Sequence, residues 1–130
     1  KVIHLVRENR LEQFISYRQS IKEQVWNSSK NEHERKEPIT LHKSQYEKYD
    51  DRLSNWEDTI DEKLEDKDSM KFTYEALTQK QENTLEQVQM FLDLEQQELE
   101  SNLVKLNKMS IQEAIENYSE VKDYIEQIKC

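Results

Sequence analysis

A short apolar strand that runs straight into an amphipathic helix constrains this chain more than any other feature. Val2-Ile3-His4-Leu5-Val6 is apolar and β-branched, and reads as a buried strand. Arg7 stops it. Asn9 then stands three residues before Glu12, the pattern of a capping box. Leu11, Phe14, Ile15, Ile21 and Val25 follow at helical spacing, which predicts a helix from Arg10 to about Trp26. The order recurs later. Met70, Phe72 and Tyr74 alternate with Lys71 and Thr73 as a half-buried strand, and a helical pattern follows. Strand-then-helix order demands right-handed crossovers, so the two strands, 2–6 and 70–74, should lie parallel and adjacent or nearly so among at least four helices. The expected fold class is α/β, mostly helical.

The first unit also suggests a site. Asn9, Glu12, Gln13, Ser16 and Ser20 share one polar helix face. An Arg at the carboxyl end of a parallel strand and a hydroxyl on the next helix can converge on one anion. Open α/β sheets bind ligands in the crevice at that end. Arg7 plus Ser16 alone is a common pairing and a weak signal.

Elsewhere the pattern is mainly helical. SSKNEHERKE, residues 28–37, has no apolar residue, and a loop over about 27–39 is expected there. His33 lies inside it and reads as a solvated histidine, because no Cys or second nearby His supplies a ligand pair. His42 reads as a helix-start residue. Tyr46, Tyr49, Leu53, Trp56, Ile60 and Leu64 step by three and four, the clearest helical stripe in the chain. Asp61 and Glu65 could be offered as a metal or acid–base pair, but they belong to an acidic face with Lys48, Arg52 and Lys63 interspersed. No metal site is assigned. Asn83 with Glu86 resembles a capped start for a helix ending near Leu94. Residues 95–109, with Leu99, Leu103, Val104 and Leu106, are expected to wrap the sheet. Ser110 and Glu113 form a capping box for a helix through Ile111, Ala114, Ile115 and Tyr118.

Composition limits the functional classes. Hydrophobic residues make up 34% and charged residues 36%, against about 45–50% and 25% in ordinary domains. The core must be thin or completed by something else. A net charge of −9 argues against a nucleic-acid or anionic-membrane partner. No apolar run is long enough to span a membrane, and no signal-peptide pattern appears. The lone cysteine, Cys130, cannot form an internal disulfide, which fits a reducing, cytoplasmic compartment. Glycine is absent altogether, although average usage is about 7%. A loop that wraps backbone amides around a phosphate normally needs it, so no such loop is assigned here.

Ordered segments along the chain together resemble one family. KVIHLVRENRLEQFIS resembles the 3′-phosphate-binding motif of sulfotransferases that use 3′-phosphoadenylyl sulfate (PAPS), and is most similar to the bacterial carbohydrate, trehalose-type branch. ITLHKSQYEKY resembles the segment leading into the family's long middle helix. KFTYEAL resembles its strand-end motif, where Tyr, an acid and Leu follow the strand. TLEQVQMFLDL, with Asp93 where glycine is common, and IENYSEVKDYI resemble its last helices. The resemblance implies a P-loop-like parallel-sheet fold, of which residues 1–130 would be a single partial domain, its C-terminal portion. It implies PAPS as cofactor and 3′,5′-adenosine bisphosphate as product. Arg7 and Ser16 would hold the 3′-phosphate, and Tyr74 would lie near the adenine. The spacing of Arg7 and Ser16 is one residue longer than in the cytosolic eukaryotic branch. No catalytic residue is assigned, because the 5′-phosphosulfate loop and the base lie upstream in the family. His4, in mid-strand, is not that base.

The implied reaction transfers a sulfuryl group from PAPS to a hydroxyl or amine acceptor, a carbohydrate by the branch resembled. A sheet cut from its neighbours would leave Val2, Ile3 or Phe72 underburied, and open sheet or helix faces favour self-association. The competing reading is a non-enzymatic acidic helical interaction module or a decayed enzyme remnant. It rests on the acidic composition, the 46–64 stripe and the missing glycine.

Overall fold

The computed structural model describes residues 1–26, 37–100 and 108–129. His33, Leu103, Val104, Leu106 and Cys130, named above, lie outside the described residues. The elements in chain order are β1 (Val2–Val6), α1 (Arg10–Glu23), α2 (Lys43–Leu64), β2 (Ser69–Thr73), α3 (Tyr74–Gln79), α4 (Gln81–Phe91), α5 (Ile111–Ala114) and α6 (Tyr118–Ile128). The described residues are thus mostly helical with two short parallel strands, in keeping with an α/β class. It divides into two compact units, one of residues 1–10 and 51–100, the other of residues 11–50 and 101–130.

The first unit is built on the sheet. β1 and β2 pair parallel in the register Val2↔Ser69, Ile3↔Met70, His4↔Lys71, Leu5↔Phe72 and Val6↔Thr73. Side chains alternate between faces, so Val2, His4 and Val6 share one face with Ser69, Lys71 and Thr73. Asp61 of α2 reaches that face, accepting from Lys71 Nζ at 2.6 Å and lying 3.2 Å from His4 Nδ1. Ile3, Leu5, Met70 and Phe72 form the other face. Val2 is 41%, Ile3 37% and Leu5 48% exposed, so β1 is far more open than the strands of a parallel sheet covered on both faces. Phe72 is half-buried.

The second unit holds the better core. Leu11, Phe14 and Ile15 of α1 are buried, as are Ile39, Leu41, Tyr46, Tyr49, Ala114, Ile115 and Ile125. Phe14 packs edge-on against Tyr46 and Tyr49, with ring centroids 5.5 and 5.2 Å apart. Gln19 is fully buried and donates from Nε2 to the Glu37 carbonyl at 3.0 Å. Asn117 takes the place of a strand partner: its Oδ1 accepts from Leu41 N at 2.9 Å and its Nδ2 donates to Leu41 O at 3.0 Å.

Several expected boundaries move. The first helix ends at Glu23 rather than Trp26, and Gln24 takes φ 57°, a left-handed residue that closes a helix. The loop expected to 39 ends sooner, because Ile39 is buried and forms a parallel bridge with Ile115. That bridge also breaks the helix expected through Ile115. Ile39 N donates to Ala114 O and Glu116 N to Ile39 O, both through extended backbone. The Ser110–Glu113 capping box is present and starts α5.

Two further expectations are corrected. β2 stops at Thr73, so Tyr74 opens α3 instead of ending the strand; the Thr73 side chain caps that helix by accepting from Ala76 N at 3.0 Å. Asn83 does not start α4, which begins at Gln81. Asn83 lies in the first turn, and its Oδ1 accepts from Gln87 Nε2. At the other end of α4, Asp93 takes φ 57°. Leu94 N donates to Gln89 O and Asp93 N to Met90 O, the paired bonds of a Schellman close made without glycine.

Candidate strand-end anion site

Arg7 follows β1 directly, and Tyr74 follows β2 directly, so parallel pairing brings both to the carboxyl end of the sheet. The Arg7 guanidinium carbon lies 4.5 Å from the centroid of the Tyr74 ring. This is within the range of a cation–π contact. Two residues singled out from the sequence are therefore in contact. Ser16 belongs to the second unit, on α1, and is half-buried; its carbonyl accepts from Ser20 Oγ at 2.8 Å.

Glu75 completes the arrangement. Its Oε1 is 3.8 Å from Arg7 Nε, while Oε2 accepts from Glu8 N at 3.1 Å and Oε1 from Asn9 N at 3.2 Å. One carboxylate thus holds three successive residues, the whole turn between β1 and α1. Burial works to raise the Glu75 carboxyl's pKa. The amides of Glu8, of Glu75 itself and of Asn9, together with the Arg7 charge, outweigh that and hold it below its ordinary value. Glu75 is thus an anion at neutral pH.

The sequence pointed to Arg7 and Tyr74 but gave Glu75 no role, although Glu75 is the acid of the Tyr-acid-Leu pattern in KFTYEAL. Its partners Glu8 and Asn9 lie 67 and 66 residues away in the chain. Local spacing carries no sign of such a bond.

Other polar groups in the first unit are engaged structurally. Arg10 makes a two-pronged pair with Glu57, with N···O distances of 3.1 and 2.7 Å. Lys71 is the leading cause that lowers the Asp61 carboxyl below its ordinary value, although burial opposes it. His4 pairs with that same carboxylate across α2, away from the strand end. Among the described residues, no group of three or more His, Cys, Asp or Glu side chains is placed to hold a metal ion. None of the described helices is long and apolar enough to cross a membrane.

In comparisons with protein-family models, with curated proteins and with solved structures, the chain matches none.

Proposed function

We propose that these residues form the 3′-phosphate-holding side of a PAPS-dependent sulfotransferase acting on a hydroxyl or amine acceptor, with carbohydrate as the acceptor class and the cytoplasm as the setting. The observation that carries this reading is the contact of Arg7 and Tyr74 at the carboxyl ends of two parallel strands. That end of a parallel sheet is where α/β proteins take their ligands.

The donor set suits the group. A guanidinium presents parallel N–H groups to a phosphate and keeps its charge at every working pH. Its side chain is 15% exposed, which strengthens the attraction relative to a fully solvated arginine. Tyr74 offers a ring beside it for a purine. PAPS supplies the sulfuryl group that is transferred. No glycine is available in these residues to close a loop on the 5′-phosphosulfate, so this chain's own part is to bind and orient the nucleotide's 3′ end.

The test is a titration of the chain with 3′,5′-adenosine bisphosphate and with adenosine 5′-phosphate, followed by amide shifts. The bisphosphate should bind more tightly, by an amount that Arg7→Ala removes. Hydrogen bonds to charged groups contribute on the order of 1.5–3 kcal/mol each, so the preference should be at least about tenfold. Equal binding of both nucleotides, or an Arg7→Ala variant with unchanged shifts, rules the assignment out.

A second reading, an acidic helical interaction module, draws on Trp56 and Ile60 of α2. They belong to the apolar stripe, yet are 56% and 40% exposed. Failure of the nucleotide titration would leave that reading standing.

A further inference from the structure

Arg7 is held from two directions by two consecutive residues. Its guanidinium carbon lies over the Tyr74 ring, 4.5 Å from the centroid, and the Glu75 carboxylate stands 3.8 Å from its Nε. A ring contact and an ion pair from different side chains restrict the movement of the charged group. The same carboxylate accepts from the amides of Glu8 and Asn9, so the backbone beyond Arg7 is tied to the residue that faces its side chain. Those two amides are already engaged with Glu75. A side chain at such a place discriminates better when its geometry is fixed beforehand.

We propose that Tyr74 and Glu75 are positioning residues that fix the Arg7 guanidinium in one orientation, and that this orientation makes the site selective for a phosphomonoester at the 3′ position of a nucleotide. The proposal rests on the reading of Arg7 as the phosphate-holding group and adds what makes that group selective. Glu75 acts through Arg7 and does not touch the nucleotide. Its negative charge also cancels part of the field that would draw any anion to Arg7, so affinity for simple anions is sacrificed for discrimination.

The experiment uses the full chain and three variants, Arg7→Ala, Glu75→Gln and Tyr74→Leu. Each is titrated with 3′,5′-adenosine bisphosphate and with adenosine 5′-phosphate, and the ratio of the two affinities is the readout. A variant that is merely less stable loses affinity for both nucleotides together and keeps the ratio. Glu75→Gln and Tyr74→Leu should each lower the ratio by about tenfold, toward that of Arg7→Ala. The Arg7 Nε–H resonance, assigned by its loss in Arg7→Lys, gives a second readout that needs no nucleotide. It should exchange slowly with solvent in the wild-type chain and fast in Glu75→Gln.

An Arg7→Ala variant that keeps the wild-type ratio overturns the phosphate reading itself, and the resonance then decides the positioning by itself. Collapse of the ratio in Arg7→Ala, with wild-type ratios in Glu75→Gln and Tyr74→Leu, overturns the positioning proposal while the phosphate reading stands. If Glu75→Gln shows no cooperative melting transition, Tyr74→Leu decides, because it leaves the carboxylate in place.

Discussion

Glu75 keeps its charge against the desolvation of a partly buried place because two neighbouring amides, its own amide and Arg7 all favour the carboxylate. That balance has a sign in pH. A carboxyl whose folded-state pKa lies below its ordinary value of 4.5 stabilises the fold fully above that value. The contribution fades as pH falls through the lower, folded-state value. The melting temperature of the wild-type chain should therefore drop on acidification below about pH 4.5. Glu75→Gln should start lower at neutral pH and lose less over the same interval. The check is a set of thermal melts between pH 7 and the acid limit of folding. A Glu75→Gln curve parallel to wild type throughout would mean that the carboxylate is not held as described. Asp61 and Glu113 are lowered as well, chiefly through hydrogen bonds from Lys71 and Ser110. They add to the wild-type slope but are common to both proteins and cancel in the difference.

At the scale of elements, what the sequence disclosed was what is local. The 2–6 strand, the start of the first helix, the long middle helix and the Ser110–Glu113 capping box all follow from spacing within a few residues, and all are present. What it hid depends on distant partners. Ile115 has the spacing of a helix residue, yet Ile39, far away in sequence, draws it into an extended bridge. Asn83 has the look of a cap, but α4 begins two residues earlier, directly after α3, where the Lys80 amide bonds to Ala76 O and Thr84 Oγ1 donates to the same carbonyl. Asn117 is the sharpest case. It precedes α6 without making a side-chain cap, and its amide instead completes both backbone groups of Leu41. Asn117→Ala strips two partners from a buried residue's backbone. Leaving such groups unpaired costs roughly 1–3 kcal/mol each, so Asn117→Ala should lower the unfolding free energy by at least about 2 kcal/mol. Asn117→Asp should be destabilised as well, because it keeps the acceptor but sets a carboxylate oxygen against the Leu41 carbonyl in place of the donor. Chemical denaturation measures both, and an Asn117→Ala midpoint equal to wild type would mean that the Leu41 groups find solvent.

Across the whole molecule, two opposed properties govern how copies meet. The chain carries nine net negative charges, which repel other copies, and its first strand leaves Val2, Ile3 and Leu5 open to solvent. Repulsion between exposed charges is screened by salt, with a Debye length that shrinks from about 30 Å at 0.01 M to about 8 Å at 0.15 M. Burial of apolar surface is not screened, and contributes about 25 cal/mol per Å². Copies should accordingly remain apart at low ionic strength and associate as salt is raised, the reverse of an assembly held by ion pairs. Leu5→Ser removes apolar surface from the most exposed position of β1 without altering the charge. It should shift the onset of association to higher protein concentration at every salt level. Sedimentation velocity on both chains, at low and physiological salt, reads this directly. Association that weakens with salt would place charged side chains at the contact, and an onset unmoved by Leu5→Ser would place the contact away from the sheet. The salt dependence bears on the nucleotide titrations too. Those belong at ionic strength low enough to keep the chain monomeric, where the proposed preference for the 3′-phosphate is also least screened.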